Sequence, residues 1–215
     1  MKRALFAWGG WDGHEPKQTT EKASAALAGA GFEVEVVDTL DAFADAEKVK
    51  TYDLIVPCFT MTDISGEQWA GLEQAVRSGV GFAGWHGGAG DAFRTNTGYQ
   101  FLVGGQWVAH PGGILDYKVK LLSYTDDPII KGLNDFKMHS EQYYMHVDPS
   151  NETLAVSILS GADAPWIKGC IMPAVWKRKY GEGRVFYSSL GHCAADFDVP
   201  EVLEIMKRGM IWAAR

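Results

Sequence analysis

The sequence predicts an α/β protein built on a doubly wound, mostly parallel sheet with an antiparallel edge. Short β-rich runs alternate with helical stretches through the first half of the chain. One of those runs, Leu54-Ile55-Val56, is apolar without alternation, as a strand covered on both faces must be. Near the end, two strand-like runs flank Gly181-Glu182-Gly183, a hairpin signal that places antiparallel strands beside the parallel ones. No repeat, low-complexity tract or Pro/Ser-rich linker interrupts the chain, so one domain over 1–215 is expected.

Each element has a local reason. Leu5-Phe6-Ala7-Trp8 is a first strand. A helix follows from about Lys17 to Ala30, with Pro16 suited to its first turn and Gly29 and Gly31 closing it. Phe32 to Val37 alternates and then runs apolar, a second strand. Ser65 with Gln68 three positions on is a capping box, and Trp69, Leu72 and Val76 form one apolar helix face behind it. Val80 to Trp85 is the next strand.

The middle is less regular. Tyr117–Leu121 and Leu154–Leu159 read as strands, with a turn at Asp126-Asp127-Pro128. Ala174–Tyr180 and Arg184–Ser188 form the hairpin. Asp198-Val199-Pro200-Glu201 caps a last helix in which Val202, Met206 and Met210 recur every four residues.

Composition narrows the function classes. Twenty basic against twenty-seven acidic residues give a net charge of −7, which argues against nucleic acid as a partner. No apolar run approaches the ~18–20 residues of a membrane helix, so no membrane partner is expected. The apolar stretch after Met1-Lys2-Arg3 is too short for a signal-peptide core. Cys58, Cys170 and Cys193 cannot all pair and form no C-x-x-C. A reduced, cytoplasmic protein is the simplest expectation.

In an open parallel sheet, ligands bind beyond the carboxyl ends of the strands. His14, His86 and His192 each follow a strand, so three histidines from distant parts of the chain are expected on one rim. Gly84-Trp85-His86-Gly87-Gly88 has the spacing of a nucleophile elbow with histidine in the middle, a residue fit for general base, metal ligand or proton shuttle. The plainer alternative is a Gly-rich turn with an exposed histidine, and Gly87-Gly88-Ala89-Gly90 lacks the companions of a phosphate loop.

His110-Pro111 and His139-Ser140-Glu141 form a second cluster, and on a strand His139 and Glu141 would share one face. Glu141 is a carboxylate partner for an imidazole, in acid–base work or in orienting a ligand. His146 has no distinguishing context. His14, His86 and His192 could together hold a divalent metal, zinc being favoured by imidazole, although no helical H-x-x-x-H spacing specifies it. Trp11, Trp85, Phe93, Tyr99, Trp107, Tyr143 and Tyr144 fall in or beside these loops. Ring faces with a few polar groups suit a sugar, which makes Trp11, His14, His110 and Tyr143 candidate substrate-binding residues. Several of the aromatics could equally be core.

Four segments, Val80–His86, Gly105–Pro111, Glu141–Tyr144 and the run from Val175-Trp176 to Leu190-Gly191-His192, occur in an order that resembles the trehalose-utilisation (ThuA-like) family. The resemblance runs from the Gly-Gly-Trp…His14 loop to Trp212. It implies a flavodoxin-like, class I glutamine-amidotransferase-like sheet and a link to disaccharide catabolism. Amidotransferases place a cysteine at the elbow and a glutamate two residues after the late histidine. Here His86 occupies the elbow, and Cys193 and Ala194 follow His192, so glutaminase activity is not expected.

The expectation is therefore a carbohydrate-catabolism protein acting on a disaccharide, glycoside or keto-sugar derivative, with His86, His192 and Glu141 in acid–base or metal-assisted chemistry. Hydrolysis, isomerisation and proton abstraction beside a keto group stay open, and a homo-oligomer is compatible with all of them. The rival is a non-catalytic sugar-binding or regulatory module. A flavin site is disfavoured, because the loop with Trp11, Asp12 and Glu15 lacks phosphate-binding Ser/Thr.

Overall fold

A computed structural model describes residues 1–215. In chain order, β1 (Arg3–Gly10) leads through a 3-10 turn at Asp12–His14 to α1 (Pro16–Gly29), β2 (Glu33–Val37), the single-turn α2 (Ala46–Val49), β3 (Leu54–Thr60), α3 (Gly66–Arg77), β4 (Gly81–Trp85) and the short α4 (His86–Gly90). The chain continues through α5 (Thr97–Val103), β5 (Gly105–Ala109), β6 (Ile114–Leu121), β7 (Phe136–Glu141), β8 (Tyr144–Val147), β9 (Glu152–Ile158), β10 (Ile171–Tyr180), β11 (Gly183–Ser188) and α6 (Pro200–Ala213).

Nine strands form one mixed sheet in the order β2-β1-β3-β4-β11-β10-β9-β6-β7, and β5 pairs with β8 in a separate ribbon. From β2 to β11 all neighbours are parallel. From β11 to β7 all are antiparallel. The antiparallel part is thus a half of the sheet, larger than an edge. Its extra strand β7 and the ribbon strands β5 and β8 come from the region of irregular patterning. β5 is partly exposed along its whole length, so no alternation marks it.

Local chemistry explains the boundaries. Pro16 occupies the first turn of α1, and Gly31 takes the left-handed conformation just past its end. The capping box opens α3: Ser65 Oγ accepts from the Gln68 amide at 3.2 Å, and Gln68 Oε1 accepts from the Ser65 amide at 3.0 Å. The last helix departs from expectation. Val199 is its N-cap and contributes no side-chain bond, while Asp198 is engaged by Lys22 instead. Burial of Val202, Ile205, Met206 and Met210 holds α6 in place.

Successive residues of the central strands feed opposite layers, as the period of two requires. Phe6, Val56 and Trp85 pack on the α1/α6 side with Ile205 and Met206, whereas Leu5, Ile55 and Phe82 pack on the α3 side with Leu72 and Val76. Every residue of β3 is buried, Cys58 among them. Burial pushes the Cys58 thiol up to about 12, against the contact with the Thr19 hydroxyl that lowers it only in part.

Alkylation of native protein at mildly alkaline pH should therefore label the half-buried Cys170 and Cys193 and spare Cys58 until denaturant is added. Because the folded thiol titrates above the unfolded one, its contribution to stability is present below the unfolded pKa of ~8.5 and declines above it. Rapid labelling of Cys58 in the folded state would contradict the packing of β3.

Candidate functional site

The order β2-β1-β3-β4 reverses direction between β1 and β3, the kind of switch point where open α/β sheets bind ligands. Four parallel strands end at one rim. β1 is followed by the turn bearing His14, β3 ends at Thr60, β4 runs into His86, and β11 is followed by Ser189 and His192. The remaining acid comes from the far side of the sheet. β7 is the other edge strand, yet it delivers Glu141 to within 3.1 Å of His86, so the antiparallel half curls back over the rim.

His86 sits at the elbow with φ +42°, a left-handed conformation rare for a side chain with a Cβ. Two glycines make that turn possible by close approach. A Cβ at Gly88 would lie 2.7 Å from Cys58 Sγ, and one at Gly84 would collide with Ala89 Cβ. His86 is then fixed at three points. Its ring Nδ1 lies 2.8 Å from the Ser189 carbonyl, its backbone carbonyl accepts from the Tyr187 hydroxyl at 2.9 Å, and Tyr143 stacks on the ring with centroids 3.9 Å apart.

The other members are tied in similarly. His14 Nδ1 lies 2.9 Å from Thr60 Oγ1. The His192 amide donates to Asp196 Oδ2 at 2.9 Å, and Ser140, beside Glu141, donates to the same oxygen at 2.7 Å. The Ala194 amide donates to Glu15 Oε2 at 2.9 Å, joining the His192 loop to the His14 loop.

The result is a compact cluster of His14, His86, His192 and Glu141 whose facing ligand atoms all lie within 4.8 Å of one another. Glu141 Oε2 is 3.1 Å from His86 Nε2, 3.4 Å from His192 Nδ1 and 3.7 Å from His14 Nε2. Its Oε1 is 3.7 Å from His110 Nε2.

Protonation follows from the partners. A carbonyl oxygen only accepts, so a neutral His86 carries its proton on Nδ1 and turns the Nε2 lone pair to the Glu141 carboxylate. Burial holds His86 down at about 4, outweighing the Glu141 hydrogen bond that would raise it. Burial lowers His192 too, but there the nearby Glu141 carboxylate and its charge win and the net shift is upward. Burial alone would raise the Glu141 carboxyl, yet the close imidazoles of His14, His192 and His86 hold it far below the usual carboxylate range.

These four residues could hold a metal. A tetrahedral ion with ~2.0–2.1 Å bonds to nitrogen and oxygen separates its ligands by roughly 3.3–3.4 Å, and the three Glu141–imidazole separations straddle that value. His192 Nδ1 is buried and makes no hydrogen bond, facing Glu141 Oε2 at 3.4 Å, so the atom is available to an ion between them. Thr60 and the Ser189 carbonyl hold the non-ligating nitrogens of His14 and His86, as metal-bound imidazoles require.

A cleft of about 110 Å³ opens beside the cluster, lined by His14 and Glu141 and also by Trp11, Trp107, His110 and Tyr143. Of the aromatics marked in the sequence, Trp85, Phe93 and Tyr99 are core, whereas Trp11 is 47% exposed at the cleft mouth. His139 does not join Glu141. It is exposed and pairs with Asp116 on β6, because the burial alternation of β7 breaks at its end, where Ser140 and Glu141 are both buried. His146 lies exposed on β8. Thr60, Asp91 and Arg94 also line the cleft, and the sequence reading did not mark them. Nothing in their spacing distinguishes them; only their place at strand ends or in the turn after α4 could have.

Solved structures share this architecture. A ThuA-like protein from Bacteroides uniformis superposes with a TM-score of 0.80 at 18% identity, covering 99% of this chain and 91% of that one. The cytoplasmic protein STM1381 from Salmonella typhimurium LT2 gives 0.72 at 12% identity, covering 99% and 100%. A β-galactosidase from Bacillus circulans sp. alkalophilus gives 0.64 at 15% identity over 98% of this chain but 30% of that enzyme. No curated protein matches the chain by sequence. No helix is long and apolar enough to cross a membrane. The sequence profile of the ThuA family, described as trehalose utilisation, matches residues 3–213. By that match, which spans nearly its full length, the chain belongs to the ThuA family.

Proposed function

We propose that this chain works as one domain in carbohydrate catabolism, with a divalent metal, zinc by ligand preference, held by His14, His86 and His192 with Glu141 Oε2 completing the ring of donors. The observation that carries the reading is the convergence of three imidazole nitrogens on one buried carboxylate oxygen, Glu141 Oε2. The lone pair of neutral His86 Nε2 and the carboxylate repel one another unless a cation lies between them. When bound, the ion supplies Lewis acidity toward a carbonyl or lowers the pKa of a bound water.

The chain's own residues supply the rest. Glu141 Oε1, beside His110 and ionised, is the acceptor that orients a hydroxyl of the bound sugar. Trp11 and Trp107 offer ring faces to the sugar's C–H face, and Tyr143 fixes the His86 ring by stacking. The cleft volume, well under the ~300–1,000 Å³ of drug-sized pockets, takes the end of one sugar ring, with the remainder of a disaccharide or keto-disaccharide lying over exposed Trp11. The family's description, trehalose utilisation, supports the carbohydrate class. The absence of an elbow cysteine argues against glutaminase chemistry.

Metal analysis of protein purified without chelator or affinity tag tests the reading. One equivalent of zinc is expected in the wild type and none in a His86→Ala, His192→Ala double variant, with turnover of a keto-disaccharide lost in parallel. A metal-free wild type without such turnover would instead favour a sugar-binding module.

A further inference from the structure

The cleft has a second polar wall besides the imidazole cluster, made by Asp91 and Arg94. Asp91 is buried, and Arg94 grips it in two places, Nε to Oδ1 at 2.5 Å and Nη2 to Oδ2 at 2.7 Å. The guanidinium carbon also lies 4.9 Å from the Trp107 ring centroid. A fork held flat on a carboxylate and an aromatic face has surrendered its freedom before any ligand arrives. Nη1 bonds to no protein atom and remains free to donate.

The backbone is bent to achieve this. Met61 and Phe93 both adopt left-handed conformations, with φ of +53° and +50°. They are laced together, since the Met61 amide donates to the Asp91 carbonyl and the Phe93 amide to the Thr62 carbonyl, each at 3.0 Å. Phe93 is fully buried, which anchors the turn and sets the next residue, Arg94, at the cleft. Of the five non-glycine residues with positive φ, Met61 lines the cleft, Glu15 and Phe93 are next in the chain to lining residues, His86 packs on Tyr143 and Glu141, and Asp126 alone lies elsewhere. Strain of this kind persists where its surroundings enforce it, and it gathers at ligand sites.

Charge decides what this wall selects. Asp91 cancels the Arg94 charge, so the pair presents a directional donor without a net positive field. An anion at Nη1 would also lie beside the Asp91 carboxylate, which lines the same wall. A neutral hydroxyl or carbonyl oxygen accepts from Nη1 without that repulsion. Resting on the carbohydrate reading above, we propose that Arg94, braced by Asp91 and Trp107, is the specificity residue that selects uncharged sugars over sugar acids and sugar phosphates.

Calorimetric titration with glucose, trehalose, glucuronate and glucose 6-phosphate tests this, with zinc content and the thermal midpoint measured on the same samples. Wild type is expected to bind a neutral sugar more tightly than either anion. Arg94→Met should weaken neutral-sugar binding roughly ten- to a hundredfold, the loss of a charge-assisted hydrogen bond, with zinc content unchanged. Because Arg94→Met strands a buried carboxylate, Arg94→Lys serves as the folding-safe partner. It keeps the charge at Asp91, loses the fork, and should lose affinity at an unchanged midpoint.

Affinity within twofold of wild type in both variants would overturn the assignment, as would tighter binding of the anions or the absence of saturable binding by every neutral probe. The two readings fail separately. Zinc in the wild type with sugar binding indifferent to Arg94 removes only this inference. Arg94-dependent sugar binding without zinc removes only the metal.

Discussion

Zinc added to chelator-stripped protein is expected to raise the midpoint of thermal unfolding by roughly 8–16 °C. A ligand at a thousandfold its Kd stabilises the folded state by about 4 kcal/mol, and each kcal/mol moves the midpoint about 2–4 °C for a chain of this length. The unfolded chain cannot compete, because His14, His86, Glu141 and His192 are scattered along the sequence and meet only in the fold. Glu141→Ala should abolish most of the rise, since that carboxylate is the one group facing all three imidazoles. His139→Ala is the control. Its ring is exposed on Asp116, outside the cluster, and the full rise should survive. An equal rise in wild type and Glu141→Ala, measured by calorimetry, would place any bound zinc elsewhere.

The second large effect is steric. Gly84→Val should destabilise the fold by about 3 kcal/mol, the top of the usual range for overpacked cores. A Cβ at position 84 already collides with Ala89, and valine adds two methyl groups to the same gap between β4 and α4. Relief requires α4 to lift from the sheet, and His86 is the first residue of α4. The variant should therefore lose metal affinity along with stability, although position 84 touches no ligand atom. Gly29→Val provides the contrast, because nothing lies within 4 Å of a Cβ there and only the ordinary helix-propensity change is at stake. Urea unfolding of both variants would decide it, and a Gly84→Val midpoint matching wild type would refute the tight elbow.

The parallel half of the fold was legible because each of its elements states its period: buried β3 as an unbroken apolar run, α3 as a capped amphipathic helix. The strand-end rule likewise pointed to His14, His86 and His192, since β1, β4 and β11 all finish at one rim. What stayed hidden depends on distant partners. β5 has no buried face to create alternation, and β7 loses its alternation at the residue that matters, Glu141. Position 141 was marked, but the supposed company of His139 was wrong, because a residue's neighbours along a strand do not report a sheet that curls. Asp91 and Arg94 gave no signal, as an acid and a base three residues apart are ordinary on any surface.

β11 is the strand that joins the two halves of the sheet, lying between β4 and β10, and it follows all ten others in chain order. During translation, β1 to β4 can assemble, and β6 to β10 can pair, before the central position is filled. His14 and His86 belong to the first group, Glu141 to the second, and His192 follows β11 directly. An ion held there would cross-link segments of both halves and act as a latch across the seam that β11 closes.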